Sequence, residues 1–219
     1  MKNQRSTPSC LLLSGFRPLV LGTALLGSVL SLSGCFPLAA GGAVMTGFVA
    51  ADRRSSGTQL EDQNIEIKAA NQMRINIGEE AHINVTSYNR QVLITGEVPT
   101  EKDKALAERL VKGVDNVNTV LNELAIRGNS TFTERANDAV TSGRVKAAIF
   151  DAKDLTTNAF KIVTERGVVY LMGRVTAREA KRVTDVVTTT PSVKKVVRVL
   201  DVISEEELAR IAPPAEVKK

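Results

Sequence analysis

Few side chains in this sequence have the types and spacing that covalent or metal chemistry requires. Cys35 stands out, because it closes Leu32-Ser33-Gly34-Cys35, and two small residues after an apolar run form a site at which a leader is cut. Cys10 lies inside that leader, so a chain cut before Cys35 keeps no other thiol for a disulfide, a nucleophile or a metal. His82 is the single histidine and has no cysteine partner. Triad and zinc sites need several such groups, so His82 reads as a surface or strand-edge residue. Glu79 and Glu80 could touch a cation, although adjacent carboxylates usually end a helix in water. No glycine-rich phosphate cradle occurs. These observations point to a non-enzymatic binding protein without a cofactor or metal.

The elements around Cys35 decide how it is used. Lys2, Arg5 and Arg17 make a basic start, and Leu19 to Leu32 is an uncharged apolar segment of the length a secretory leader needs. The alternative is a retained membrane span, since no charge falls between Arg17 and Asp52 and about 20 apolar residues suffice. Pro37, Gly41, Gly42 and Gly47 argue against one continuous helix there. Phe36 to Ala51 is Gly/Ala-rich, and Asp52 to Thr58 is polar, so the stretch reads as a tether or as plain disorder. Losing Lys2, Arg5 and Arg17 lowers 29 basic residues to 26 against 24 acidic ones. The bulk basicity then largely disappears, which together with export excludes nucleic acid as a partner.

An internal repeat organises the remainder. Ile83 to Val98 lies over Phe160 to Val175 at a constant shift of 77, pairing Ile94 with Leu171 and Gly96 with Gly173. After the glycines the shift is 76, with Val117 over Val193 and Leu124 over Leu200. Each copy predicts a helix (roughly 61–77 and 138–150), a hairpin, a second helix and a β-branched third strand (117–126 and 193–203). The hairpin turns fall at Tyr88 to Gln91 and at Gly167. The third strand returns beside the hairpin through a strand-helix-strand crossover.

Two resemblances attach to these residues. Leu-Ser-Gly-Cys resembles a bacterial lipobox, which implies that Cys35 is acylated and the chain cut before it. The hairpin ending Leu-Ile-Thr-Gly-Glu-Val, then a helix, then Lys112-Gly113-Val114-Asp115-Asn116-Val117 resembles a BON domain. Leu171-Met172-Gly173-Arg174-Val175 followed by Pro191-Ser192-Val193 resembles a second one, with Thr189 where the first copy has Gly113. Two BON domains behind a lipobox are similar to the dual-BON outer-membrane lipoproteins. The resemblance implies an α+β fold of two tandem αββαβ units, each with a three-stranded mixed sheet and two helices. It implies a signal peptide (1–34), a lipidated linker (35–57), domain 1 (58–127), a linker (128–136), domain 2 (137–203) and a tail (204–219). It also implies an outer-membrane, lipid-anchored protein facing the periplasm, supporting envelope integrity and binding phospholipid through domain 2.

Charge points to the same domain independently. Between Thr58 and Arg127 there are 8 basic and 11 acidic residues, whereas between Asn137 and Ile203 there are 12 and 7. A basic face attracts an anionic leaflet such as one holding phosphatidylglycerol or cardiolipin. The alternatives are a solvated face or attraction to the acidic first domain. Contact is expected over Asn137 to Phe150, with Asn137 or Asp138 as helix cap and Val145, Ala148 and Ile149 toward the sheet. Val140, Arg144 and Ala147 then share the outer stripe, and Lys146 is expected as a further lipid contact. The resemblance implies an aromatic lipid anchor where this chain has Val140, and the alternative for Val140 is packing on domain 1. A rival role is a protein-interaction adaptor for envelope machinery. Ser204 and Glu207 predict a short capped helix before Pro213 and Pro214.

Overall fold

In the computed structural model, residues 52–78 and 81–211 are described. Cys35, the leader, Glu79, Glu80, Pro213 and Pro214 lie outside them. Ser55 caps α1 (Ser56–Asn76) by accepting from the Thr58 N–H. β1 (His82–Tyr88) and β2 (Gln91–Val98) form an antiparallel hairpin. α2 (Glu101–Lys112) then carries the chain back, and β3 (Thr119–Asn122) and β4 (Ala125–Ile126) run parallel to β2.

The second copy repeats this order with α3 (Phe132–Asp151), β5 (Phe160–Glu165), β6 (Val168–Thr176), α4 (Ala177–Thr188) and β7 (Lys195–Ile203). Its sheet order is β5-β6-β7, with β7 parallel to β6. A terminal α5 (Glu205–Ile211) starts with Ser204 Oγ accepting from the Glu207 N–H at 3.1 Å. The expected α+β architecture of two αββαβ units is present.

Two local expectations change. The first unit's third strand is split, because Asn122 accepts from the Leu124 N–H at 3.3 Å and turns Leu124 into the core. α3 does not begin at Asn137 or Asp138: Thr131 and Glu134 form a capping box six residues earlier. Asp138 is instead interior to the helix and buried. Thr189 and Gly113 both end their helices with right-handed φ (−86° and −82°), so threonine replaces glycine there without strain.

Asp138 has a different use, shared with Asp62 in the first copy. In each hairpin the two turn residues have positive φ, Asn89 (51°) and Arg90 (63°) in one, Arg166 (54°) and Gly167 (76°) in the other. This type I′ geometry leaves two amides pointing at the first helix. The Asp62 carboxylate accepts from the Asn89 and Arg90 N–H groups at 2.8 Å each. Asp138 accepts from Arg166 N–H at 2.7 Å and Gly167 N–H at 2.8 Å. Helix and turn are thereby latched twice by the same device. Burial pushes the Asp62 carboxyl up, and the Arg90 N–H, Ser87 hydroxyl and Arg54 guanidinium more than offset it, so it titrates below its ordinary range.

Each sheet buries one face against its own helices, around Val92, Ile94 and Val98 in the first copy and Val169, Leu171 and Val175 in the second. The other faces meet. Tyr88 and Leu93 pack on Tyr170 and Met172, with Leu121, Val163, Val197 and Val199 around them. The layers are therefore helices, sheet, sheet, helices, and β2 and β6 are buried on both sides.

Charged groups close the rim of this seam. Arg53, just ahead of α1, donates to both carboxylate oxygens of Glu179 in α4 at 2.8 Å and to the Arg174 carbonyl at 2.9 Å. Lys161 reaches Glu66 at 2.7 Å and Arg166 reaches Glu97 at 2.7 Å. Part of the basic excess of domain 2 is thus spent on the acidic domain 1. The segment 52–55, read from sequence as tether, is built into the body: Arg54 pairs with Asp52 and Asp62 and lies 4.2 Å over the Tyr88 ring.

Candidate functional site: the outward face of α3

Helix α3 is held by Val145 and Ile149, both fully buried, with Asp138 and Thr141 on the same side. At about 100° per residue the opposite face is fixed. Val140, Ala136, Gly143, Ala147, Ala139, Phe132 and Phe150 all fall within an arc of roughly 100° on it. Each of these residues is exposed, and Val140 (53%), Phe132 (80%) and Phe150 (75%) present the large apolar groups. Val140 belongs to none of the buried clusters among the described residues.

Cations border both edges of the arc. Arg144 lies beyond Val140 on one edge, donating to Ser192 Oγ at 2.8 Å. Lys146 lies beyond Ala139 on the other, where it lines a recess with Asp52, Arg54 and Tyr88. Neither has an acidic partner among the described residues. Val140, Arg144 and Ala147 lie within about 60° of one another at i, i+4 and i+7, and Lys146 stands about 100° from Ala147 at the other edge of the arc.

A second feature adjoins the Arg144 edge. Val140 and Arg144 stand at the lip of an open recess of about 380 Å³ that is also lined by Arg127, Arg166, Ser192 and Lys194. The Glu134 and Asp138 carboxylates line it too: Arg127 is paired with Glu134 at 3.2 Å, Arg166 with Glu97, and Asp138 is held by the Arg166 and Gly167 N–H groups, so Arg144 and Lys194 are its cations without an acidic partner among the described residues. An apolar arc flanked by cations, with a basic recess beside it, can take acyl chains and an anionic headgroup at once.

Phe132 lies ahead of the stretch expected from sequence, and Phe150 closes that stretch without being singled out as a contact. They are 18 residues apart, five turns at 3.6 residues per turn, and share one angular position. That relation is visible only when α3 starts at Thr131, and the Thr131–Glu134 capping-box spacing was the available signal.

Comparison with known proteins adds the following. The family model described as BON domain matches residues 61–128 and again 137–204. The chain is 35% identical over 184 residues to Outer membrane lipoprotein DolP of Haemophilus influenzae, spanning 83% of this chain and 95% of that one. It is 28% identical over 154 residues to the 21 kDa hemolysin of Actinobacillus pleuropneumoniae, spanning 69% of this chain and 79% of that one. Among solved structures, CdsD, a structural protein of the type III secretion system of Chlamydia trachomatis, is similar over 68% of this chain and 67% of that one. The identity there is 15% and the TM-score 0.25.

Proposed function

The chain belongs to the BON-domain family, with two BON domains in tandem, and on that premise we propose that it is an outer-membrane lipoprotein that binds anionic phospholipid through the outward face of α3. The single observation carrying the lipid assignment is the exposed apolar arc of α3 between Arg144 and Lys146. In this reading residues 1–34 are a signal peptide, Cys35 carries the acyl chains, and the two domains face the periplasm. The relative in Haemophilus influenzae, named an outer membrane lipoprotein, supports that placement. The role is binding rather than catalysis, in support of outer-membrane integrity.

Phe132 and Phe150 supply the aromatic contact that Val140 lacks. The interfacial helix would lie flat with both rings in the acyl region, while Arg144 and Lys194 hold a phosphate of phosphatidylglycerol or cardiolipin in the adjoining recess. Each largely exposed Phe contributes about 2 kcal/mol on burial, equivalent to roughly 30-fold in partitioning.

Vesicle flotation of a chain starting at Phe36, which lacks the acylated cysteine, tests this. It is expected to float with phosphatidylglycerol vesicles, less so in high salt, and to lose at least tenfold in affinity on either Phe132→Ala or Phe150→Ala. Charge reversal at Arg144 and Lys146 should also weaken it. Equal flotation with zwitterionic vesicles, or none with either, would refute lipid recognition.

A further inference from the structure

Away from α3, the seam between the two sheets gathers three potential metal ligands from separate parts of the chain. His82 begins β1 and is the register partner of Glu97 in β2, so both side chains stand on the face turned toward domain 2. Glu165 ends β5 of domain 2 and comes up against them. One ligand atom from each of His82, Glu97 and Glu165 lies within 4.8 Å of the other two. Both carboxylates are buried, whereas the imidazole is 23% exposed and gives the cluster an opening to solvent.

Two of the three are already oriented. Glu97 Oε1 accepts from Arg166 Nη1 at 2.7 Å, while Glu97 Oε2 lies 2.9 Å from His82 Nδ1 and accepts from the Ser130 N–H at 3.2 Å. The other ring nitrogen, His82 Nε2, lies 3.4 Å from Asn84 Nδ2. Donors of the kind found on Glu97 fix the direction of a metal-ligating carboxylate. Glu165 differs. Its side chain is 5% exposed, its carboxylate accepts no hydrogen bond among the described residues, and the Arg166 guanidinium stands 3.9 Å off. A buried carboxylate that accepts no hydrogen bond and meets Arg166 only at 3.9 Å stands within ligand reach of a second carboxylate and an imidazole.

We propose that His82, Glu97 and Glu165 form a binding site for a divalent transition-metal ion of the zinc class, which bridges the two domains. One imidazole and two carboxylates suit zinc and its neighbours, and three protein ligands leave a fourth position for water. Ligand atoms around tetrahedral zinc stand about 3.3 Å apart. The Glu165 side chain closes that gap by a rotamer change, since it gives up no hydrogen bond. The metal takes the place of the contact between His82 Nδ1 and Glu97 Oε2, the ring proton moving to Nε2 so that the imidazole stays neutral, and Arg166 stays on Glu97 Oε1 as the outer partner. Arg166 offsets one of the two carboxylate charges, so the dication meets one net negative charge. Glu165 is further pushed toward its neutral form by burial and by Glu97, a conflict that the ion removes. Because the ligands come from both domains, the metal binds only the docked pair. Saturation at 100 times the dissociation constant favours docking by about 100-fold.

The test uses the full chain, purified without a histidine tag in detergent, stripped with chelator and dialysed against zinc chloride. One zinc per chain is expected, together with a rise in unfolding temperature that chelator reverses. Cobalt added in place of zinc should give the visible bands of tetrahedral coordination by oxygen and nitrogen. His82→Ala and Glu165→Gln should each abolish uptake. Glu165→Gln keeps the shape of the side chain and removes the like-charge contact, so it unfolds no earlier than the parent in chelator and separates loss of the site from loss of the fold. Absence of zinc from the parent, retention of zinc by either variant, or a thiolate charge-transfer band with cobalt would each overturn the assignment.

Discussion

Replacing Arg53 with methionine is expected to be among the most damaging single changes outside the apolar cores. Its guanidinium and the Glu179 carboxylate are 6% and 5% exposed and meet through two bonds of 2.8 Å. Removing one partner of such a pair leaves the other charge buried and costs about 3–5 kcal/mol, even where the intact pair contributes little net stability. The Arg174 carbonyl also loses a donor. For a body of this size that lowers the unfolding temperature by on the order of 10 °C. Glu179→Gln on the Arg53→Met background removes the stranded charge, so the double variant should recover at least about 2 kcal/mol relative to the sum of the single changes. Urea unfolding of the four proteins measures this. The pair also has a pH signature. Burial pushes the Glu179 carboxyl up, but Arg53 and the Thr176 N–H outweigh it and hold the group below its ordinary range. A depressed folded pKa contributes stability that is present above the unfolded value of about 4.3 and is lost as pH falls through the folded one. The parent should therefore lose stability as pH falls below about 5 and on through the folded pKa, more steeply than Glu179→Gln. A cost below about 1 kcal/mol for Arg53→Met, or additivity of the two changes, would show that the clamp is not closed in solution.

Three further outcomes follow from the same geometry. Gly96→Ala places a Cβ 1.9 Å from the His82 carbonyl oxygen at φ +114° and should cost at least about 3 kcal/mol, against about 1 kcal/mol for Gly78→Ala, where φ is +103° but the space is open; thermal unfolding compares them. Asp138→Ala strands the Arg166 and Gly167 amides, costing about 2 kcal/mol, and hydrogen exchange should speed up at those two amides. A fragment of residues 52–128 uncovers Leu93 and Tyr88 and is expected to self-associate in sedimentation experiments; a stable monomer would show that the seam is dispensable.

The repeat made the order of elements legible, because hydrophobic spacing and the glycine pair Gly96/Gly173 recur at a fixed shift. What escaped is non-local. Val92 and Ile94 were read as one alternating face, yet Val92-Leu93-Ile94 and Val168 to Met172 are unbroken runs, the mark of strands buried on both sides. Asp62 and Asp138 are repeat-equivalent, but nothing local says that their carboxylates latch turns almost 30 residues away. Arg166 and Lys161 read as surface charge in the sequence because Glu97 and Glu66, which pair with them, belong to the other domain. His82 lacked a constellation in sequence because its carboxylates are supplied by a neighbouring strand and by another domain. At α3, Val140, Arg144 and Ala147 were placed by periodicity, whereas the two phenylalanines depended on a helix start hidden by competing cap residues.

Arg53 fixes where the preceding chain joins the body, at the junction of both domains rather than at one end. If Cys35 is acylated as proposed, the 16 residues from Phe36 to Ala51 are a leash no longer than about 55 Å. A short leash converts encounter with the bilayer into an intramolecular event with an effective concentration in the millimolar range. The face of α3 then needs only millimolar intrinsic affinity to be engaged about half the time, which two phenylalanines and a few cations can provide. Weak contact held by a leash can be released and remade within one membrane, so the protein samples lipid composition locally instead of being committed to the first patch it meets.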